Sequence, residues 1–323
     1  AGAPGGGFEA QVGERLERAF PGGEAARVAT SWRMAQAGES LRVDHGPEVG
    51  LQEASAALLG LTAKPWWEVE DLPWLGRLEE HAAEIRDELA AAQGSAALQT
   101  GNNVWSSAAR GEAVAYGPQW KTLVLQDRGR WDEANCAVFP RTVAAVKAAG
   151  VPSMEVFFAR QPGGTGIKPH TVSGARRGPR RAPASERRLT FSPRLRPFPQ
   201  DFCNYIMTAH LALEVPEPRQ DCWIKCGAER RHWEPLKGLV MDTSFVHETF
   251  NETEGERFVL LTRFWHPEVT PHERLAAQFI FDCLDYAQVV SEAEALAEAS
   301  AILKKGLKAL GRGGAGRRAG SAR

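Results

Sequence analysis

From residue 120 onward, the chain alternates short hydrophobic runs with residues that favour turns. The runs are rich in β-branched and aromatic residues, and Gly, Pro and acidic clusters separate them. Short strands at this spacing predict an all-β sandwich or barrel. The predicted strands cover residues 121–126, 154–159, 205–215, 222–226, 238–242 and 257–264.

Outside this region, the apolar residues have helical spacing. Between 75 and 92 they recur every three or four positions, which predicts a helix with one buried face. With the apolar run at 54–61, this makes residues 51–100 a predicted helical region. Residues 1–50 carry one amphipathic pattern, at 9–20, and we expect the rest to be poorly structured. Further predicted helices cover 141–149, 270–287 and the segment from 291, followed by a Gly/Arg/Ser-rich tail that is expected to be disordered.

Composition excludes several classes of protein. With 323 residues, 43% hydrophobic and 24% charged, the chain can form a sizeable core, so it is neither wholly disordered nor collagenous. A net charge of −1 gives no reason to expect a nucleic-acid partner, and no run of 18 apolar residues predicts a membrane span. Five scattered Cys favour a reduced, intracellular protein. The first residue is Ala, so a signal or anchor upstream stays open, as does the oligomeric state.

One segment differs from the rest of the chain in charge. Residues 172–200 contain eight Arg and one Glu, so they carry +7 and the remaining residues carry −8. Three interpretations are open: a basic arm for nucleic acid or anionic lipid, a solvated disordered loop, or a translated intron. The segment begins Val-Ser and ends Pro-Gln, which splice-donor and splice-acceptor codons can encode.

Three His residues lie in strand-like or turn contexts, and neutral imidazole is a common metal ligand. They are His170 in GTGIKPHT, His210 in HLALEVPE and His247 in MDTSFVHETFNE. These segments, together with RFVLLTRFWHPEVT and the upstream WKTLVLQDRGRWDEANCAVFPRT, resemble the aspartyl/asparaginyl β-hydroxylase family of Fe(II)- and 2-oxoglutarate-dependent oxygenases. The similarity extends over about residues 120–271.

The resemblance implies a site. Its first iron ligand would be His170 and its second His247, while Arg257 and His210 would hold the distal carboxylate of 2-oxoglutarate. Arg suits this role because its planar guanidinium can donate two parallel hydrogen bonds to a carboxylate and stays charged when buried. In the family, the His that corresponds to His210 follows the first ligand by eleven residues. Here His210 follows His170 by forty residues, and this gap becomes eleven when residues 172–200 are removed.

The restored gap of eleven residues favours the intron interpretation. Removal of the intron would also change which residues could bind the metal. Removal would join Thr171 to Asp201 and create an H-T-D sequence, in which Asp201 is a tentative third ligand. Two His and one carboxylate form the facial triad of many non-haem Fe(II) enzymes. The alternative for Asp201 is a turn residue at the entrance of a strand.

The chain also departs from the family pattern. Thr208 stands where the family often has Arg, and Ala159 lies near the place of a Ser, so two polar contacts to 2-oxoglutarate are missing. Arg257 and His210 would then contribute more, with Lys168 or Arg160 as possible helpers. We expect packing roles for Cys222, Cys226 and His266, and a tight turn at the Gly residues before His170. The aromatic residues Trp223, Trp233 and Trp265 are predicted to lie in the core or in a pocket wall.

Taken together, the sequence predicts a mainly β protein with a double-stranded β-helix (jelly-roll, cupin-like) domain over residues 116–275. A helical N-terminal region (51–115) would precede it, and a C-terminal helix with a disordered basic tail (276–323) would follow. The resemblance implies a dioxygenase that uses Fe(II), 2-oxoglutarate and O2 to hydroxylate an unactivated C–H bond, with a peptide or protein Asp or Asn as the substrate. The alternatives are a lipid or small-molecule hydroxylase and a non-catalytic metal-binding module.

Overall fold

The computed structural model describes residues 7–93, 106–107, 120–170 and 203–318. The N-terminal part contains α1 (Phe8–Ala19), α2 (Ala26–Ala37), β1 (Leu41–Asp44), β2 (Leu51–Ala54), β3 (Trp66–Trp67), α3 (Pro73–Glu79) and α4 (Ala82–Gln93). The middle part contains β4 (Ser106–Ser107), β5 (Lys121–Asp127), β6 (Arg130–Trp131), α5 (Glu133–Val138), α6 (Pro140–Ala149), β7 (Ser153–Gln161) and β8 (Thr165–His170). The last part contains β9 (Ile206–Glu214), β10 (Cys222–Cys226), β11 (Glu229–His232), β12 (Gly238–Met241), β13 (His247–Asn251), β14 (Arg257–Trp265), α7 (Pro271–Tyr286) and α8 (Glu292–Arg318).

Two antiparallel sheets carry strands β7 to β14 in the arrangement of a jelly roll. The larger sheet has the order β3-β12-β9-β14-β7-β5-β4, with β6 paired to β5, and the smaller sheet has the order β11-β10-β13-β8. The chain passes from one sheet to the other after β7, β8, β9, β11, β12 and β13. The predicted double-stranded β-helix is therefore confirmed, and all six strands predicted from the hydrophobic runs are present.

Three groups of buried side chains hold these layers together. One lies between the two sheets, and a second packs α3, α4 and α6 against the outer face of the larger sheet. A third joins α1 and α2 to α7 and α8. Strand β14 contributes to the first two because successive residues of a strand point to opposite faces, so Val259 and Leu261 face the space between the sheets while Phe258 and Leu260 face the helices.

The N-terminal predictions need two corrections. Within the predicted lead 1–50, the described residues 7–50 are not poorly structured, because α1 and α2 bury one apolar face each against the C-terminal helices. The apolar run at 54–61 is not a helix: β2 ends at Ala54, and the chain continues through an isolated bridge at Ala56 and a turn at residues 59–60. The amide of Leu58 donates to Asn204 Oδ1 and its carbonyl accepts from Asn204 Nδ2, so a distant side chain takes the hydrogen bonds that a helix would use.

The remaining helices agree with the sequence, with one difference at the end. The predicted helices at 9–20, 75–92, 141–149 and 270–287 are present, the second of them as two helices, α3 and α4. Helix α8 continues to Arg318, past residue 311, from which the Gly- and Arg-rich composition predicts disorder. Residues 172–200 and Asp201 lie outside the described residues. No helix within the described part of the chain is long and apolar enough to cross a membrane.

Candidate functional site

His170 and His247 lie directly opposite each other on two neighbouring strands of the smaller sheet. His170 is the last residue of β8, His247 is the first of β13, and the antiparallel register pairs their Cα atoms. The two imidazole rings are consequently close, with ring centroids 4.2 Å apart. Two residues far apart in sequence thus reach one place because two strand ends coincide.

Both rings are oriented by the same kind of backbone contact. His170 Nδ1 lies 2.8 Å from the carbonyl oxygen of Lys168, and His247 Nδ1 lies 2.9 Å from that of Phe245. A carbonyl oxygen only accepts hydrogen bonds, so each Nδ1 carries the proton and each Nε2 keeps a lone pair. Hydrogen bonding of the other ring nitrogen to a carbonyl is the usual support of a metal-binding His.

Electrostatics keep these imidazoles neutral. Burial lowers the pKa of His247 to about 3. Repulsion by His170, when that ring is protonated, and by the Arg263 guanidinium acts in the same direction. Burial also lowers the pKa of His170. A neutral imidazole can donate its lone pair to a cation, so both rings are in the state that metal binding requires.

Arg257 places a guanidinium in the space between the sheets. Its side chain is 1% exposed; Nη1 donates to Thr249 Oγ1 at 3.3 Å, and Cζ lies 3.6 Å from the centroid of the Trp233 ring. Burial lowers the pKa of Arg257 to about 10, and contact with the Cys222 thiol opposes this only in part. Within the described part of the chain, its Nε has no hydrogen-bond partner and no carboxylate pairs with it.

His210 lies beside this guanidinium. It is 4% exposed, its ring is parallel to that of Trp233 with centroids 6.0 Å apart, and its Nδ1 has no partner among the described residues. Burial lowers the pKa of His210 to about 3, and the positive charge of Arg257 contributes. The indole Nε1 of Trp233 is also buried and without a partner in the described residues. Three nitrogen atoms that can donate hydrogen bonds are therefore buried and unsatisfied around one indole.

This arrangement fits an anion better than an empty core. A buried charge without a counterion costs several kcal/mol, and unsatisfied buried donors add to that cost. A carboxylate that accepts from Arg257 would supply the missing counterion and lower this cost. The two imidazoles with free Nε2 atoms fit a metal ion, although the described residues contain no group of three or more His, Cys, Asp or Glu that could hold one.

Ala159 and Thr208 are the two positions at which the chain departs from the family pattern, and both are buried. Ala159 is buried between the sheets and offers no polar atom, while Phe158 points to the opposite face and packs in the outer cluster. Thr208 is buried and is paired in register with Arg263 of the neighbouring strand. Arg160 lies on the same face of β7 as Phe158, away from the space between the sheets, and it pairs there with Glu256, with Nε 2.8 Å from Oε1.

Other predicted roles can also be compared with the structure. Cys222 and Cys226 are free thiols buried in the cluster between the sheets. His266 is fully buried and bonds to the backbone of Thr62 and Glu268, consistent with a packing role. The Gly residues before His170 do form a turn, in which Gly164 has φ +67° and its amide donates to the Asn251 carbonyl.

The sequence motifs do not indicate two residues that line the site, Thr249 and Arg263, and they predict Trp233 only as a core or pocket-wall aromatic. Trp233 and Thr249 contact Arg257, and Arg263 lies farther along β14. Strand alternation places Arg263 on the inner face with Val259 and Leu261, and its Nη1 lies 3.3 Å from both carboxylate oxygens of Glu155. The alternating pattern of β14 could have indicated Arg263; the contacts of Trp233 and Thr249 depend on the pairing of distant strands.

Comparison with known proteins agrees with this geometry. The family model described as Aspartyl/Asparaginyl beta-hydroxylase matches residues 79–176 and 197–267, which is more than half of the chain. The chain belongs to the aspartyl/asparaginyl beta-hydroxylase family. The match to this hydroxylase family is interrupted at 177–196, inside the basic segment 172–200.

Individual members of the hydroxylase family are similar over most of this chain. The Aspartyl/asparaginyl beta-hydroxylase of Mus musculus is 27% identical over 67% of this chain and 25% of its own length. The Ornithine lipid ester-linked acyl 2-hydroxylase of Rhizobium tropici is 26% identical over 64% of this chain and 62% of its own length. The chain thus spans about a quarter of the mammalian relative. A Pseudomonas putida prolyl-4-hydroxylase structure matches 62% of this chain and 92% of its own length at 17% identity, with a TM-score of 0.31.

Proposed function

We propose that this member of the family is a hydroxylase that uses Fe(II), 2-oxoglutarate and O2. The observation that carries the proposal is the pair of neutral imidazoles, His170 on β8 and His247 on β13, together with the absence of a carboxylate partner for the buried Arg257 guanidinium among the described residues. Strand β13 also contacts this guanidinium through Thr249. A metal ion and a dicarboxylate are the ligands that this donor set would bind. Family membership supports the same assignment.

Each residue has a proposed role. His170 and His247 hold Fe(II) through Nε2, and the carbonyls of Lys168 and Phe245 fix the ring orientation. Arg257 and His210 hold the distal carboxylate of 2-oxoglutarate. When bound, the metal supplies the oxidation of an unactivated C–H bond, coupled to conversion of 2-oxoglutarate into succinate and CO2. Asp201 stays a proposed third ligand for a chain in which residues 172–200 are absent.

The protein contributes a dry, fixed environment for the co-substrate. The aromatic and aliphatic side chains between the sheets exclude water around Arg257, which strengthens its attraction for a carboxylate. His210 has a pKa of about 3 and stays neutral near pH 7, so it donates or accepts a hydrogen bond without adding a second charge. The domain that performs this work is proposed to be residues 116–275.

For the substrate, we propose an Asp or Asn side chain of a peptide or protein. The mammalian relative's name supports this class, and so does Arg263, which brings a cation to the inner face opposite Thr208. The Glu155 carboxylate beside it can accept hydrogen bonds from a peptide group. The Rhizobium relative, with its more even coverage, supports a lipid acyl chain as the second candidate.

The experiment that tests the substrate class presents both kinds of molecule to the same enzyme. Purified chain with Fe(II) and 2-oxoglutarate is incubated with Asp- and Asn-containing peptides or with acylated ornithine lipid, and products are examined by mass spectrometry. We expect one added oxygen atom on an Asp or Asn of a peptide. Oxygen addition only to the lipid would overturn the peptide assignment, and metal binding without oxygen addition to any molecule and without succinate would identify a non-catalytic module.

A further inference from the structure

The β1–β2 hairpin contacts the turn that immediately precedes His247. This hairpin, residues 41–54, lies outside the part of the chain that matches the family. The Glu53 amide donates to the Ser244 carbonyl at 2.8 Å, and the Val246 amide donates to the Leu51 carbonyl at 3.0 Å. Strand β2 thus pairs with the turn 242–246, from which β13 and His247 emerge.

One side chain of the hairpin is buried in this turn. Gln52 is 3% exposed, and its Nε2 donates to Ser244 Oγ at 3.0 Å and to Asp242 Oδ2 at 3.3 Å. Its Oε1 accepts from His45 Nε2 at 3.1 Å, and the His45 ring lies against Phe245 with centroids 5.3 Å apart. A glutamine with its donor and its acceptor both used at a buried position has a defined orientation.

The partners of Gln52 shape the turn itself. Asp242 Oδ1 accepts from the amide and the hydroxyl of Ser244, at 2.9 and 2.6 Å, which leaves Oδ2 for Gln52. The Phe245 amide in turn donates to the Asp242 carbonyl, and the Phe245 carbonyl accepts from His247 Nδ1. A continuous series of hydrogen bonds therefore runs from Gln52 through the turn to the imidazole of His247.

We propose that Gln52 is a positioning residue for His247 and that the β1–β2 hairpin is a structural part of the metal centre. The inference rests on the proposed role of His247 as a metal ligand. Gln52 touches neither metal nor co-substrate; it orders the turn whose carbonyl fixes the direction of the ring. Loss of such outer contacts typically lowers metal affinity about 10- to 100-fold.

The test compares Gln52→Leu, which keeps the side-chain volume close but removes the hydrogen bonds, with Arg42→Ala as the matched control. Arg42 lies on the same hairpin and forms an ion pair with Glu53. Its side chain is 70% exposed. Co(II) replaces Fe(II), so affinity and the d–d absorption that reports coordination geometry are measured without turnover. Amide exchange at residues 244–247 is measured in the metal-free protein, and thermal unfolding shows that each variant is folded.

We expect Gln52→Leu to bind Co(II) about 10- to 100-fold more weakly, with an altered spectrum and faster exchange at 244–247, while Arg42→Ala behaves as wild type. The double variant Gln52→Glu with Asp242→Asn, which reverses donor and acceptor, should recover part of the affinity. Wild-type Co(II) affinity and exchange in a folded Gln52→Leu protein would overturn the inference. If the unaltered chain bound no Co(II), the proposed function would fail, and the exchange measurement would still decide whether Gln52 orders the turn.

Discussion

The buried Arg257 is the residue on which co-substrate binding most depends. Its guanidinium is held by Thr249 and Trp233 and has no carboxylate partner among the described residues, so a bound carboxylate supplies its missing counterion. Lys at this position would keep a charge but lose the planar pair of donors. We expect Arg257→Lys to raise the KM for 2-oxoglutarate by roughly 30-fold or more, since imperfect pairing of a buried charge costs at least about 2 kcal/mol.

The control for this substitution is Arg160→Lys, because Arg160 is paired with Glu256 and is not part of the proposed site. Steady-state succinate formation at varied 2-oxoglutarate measures both variants. An unchanged KM in Arg257→Lys would show that the distal carboxylate is held elsewhere.

His210 gives a prediction about stability and pH. Its folded pKa of about 3 lies below the value of about 6.5 for an unfolded His, so the unfolded chain binds the proton first as pH falls. Stability is therefore lost below about pH 6.5, and His210 alone should lower the free energy of unfolding by about 2 kcal/mol between pH 8 and pH 5.

Denaturant unfolding of the metal-free protein and of His210→Gln at the two pH values tests this. Subtracting the pH-dependent loss of the variant from that of the wild type cancels the contributions of other groups, such as His247 and Asp242. Burial raises the pKa of Asp242 to about 6, so protonation of this group stabilises the folded state as pH falls. The wild type should lose about 2 kcal/mol more than the variant. An equal loss in both proteins would mean that His210 is not held neutral.

A substrate prediction follows from Arg263. Its place on the inner face, opposite Thr208, supports contact with an anionic group of the substrate. We expect Arg263→Gln to raise the KM for an Asp-containing peptide about tenfold or more while changing the KM for 2-oxoglutarate less than threefold, since a hydrogen bond to a charged group contributes about 1.5–3 kcal/mol. A larger increase in the KM for 2-oxoglutarate than in the KM for the peptide would assign Arg263 to the co-substrate.

At the scale of elements, the pairing of β8 with β13 sets the distance between the two proposed metal ligands. Gly166 permits this pairing: a Cβ at that position would lie 2.3 Å from the Phe250 ring and 2.5 Å from the Thr249 carbonyl oxygen. Gly166→Ala should therefore separate the strands, lower stability by about 1–3 kcal/mol and weaken Co(II) binding. Gly76→Ala in α3, where the nearest atom is 3.8 Å away, is the control and should be neutral or stabilising. Equal Co(II) affinity in both variants would contradict this role of the strand pair.

The elements also show what the sequence could and could not predict. Strands such as β9 and β14 were predictable because long apolar runs are buried on both faces. Strand β8 was not, since Thr165–His170 contains Gly and Pro and its burial alternates weakly. The run at 54–61 was misassigned as helix because continuous apolarity has no period, and only the contact with Asn204 decides its conformation.

The residues of the site likewise divide into those that sequence motifs indicate and those that only the structure reveals. His170, His210, His247 and Arg257 could be named from motif spacing, because the motifs carry the chemistry. Gln52 could not, and Trp233 could be predicted only as a core or pocket-wall aromatic, since their contacts arise from pairing between β10, β11, β13 and a hairpin 190 residues earlier in sequence. Local patterns contain no information about such long-range packing.

For the whole molecule, we propose that residues 172–200 are additional to the jelly roll. They begin two residues after His170, where β8 ends, and the family match is interrupted within them. If they are additional to the fold, a chain without them should unfold cooperatively within a few degrees of the full chain's Tm and should retain or gain turnover. Failure of the shortened chain to fold, seen by circular dichroism and calorimetry, would make the segment part of the structure.

We propose that His170 and His247 hold a metal ion beside a 2-oxoglutarate site at Arg257. The most direct test is Fe(II)-dependent formation of succinate from 2-oxoglutarate by the 323-residue chain, with and without residues 172–200, and with His247→Ala as the blank. We predict turnover that requires Fe(II) and disappears in His247→Ala, with succinate and hydroxylated substrate formed in equal amounts. Absence of succinate from both forms, in protein that is folded, binds Co(II) and is supplied with candidate peptides and lipids, would contradict the proposed 2-oxoglutarate-dependent activity.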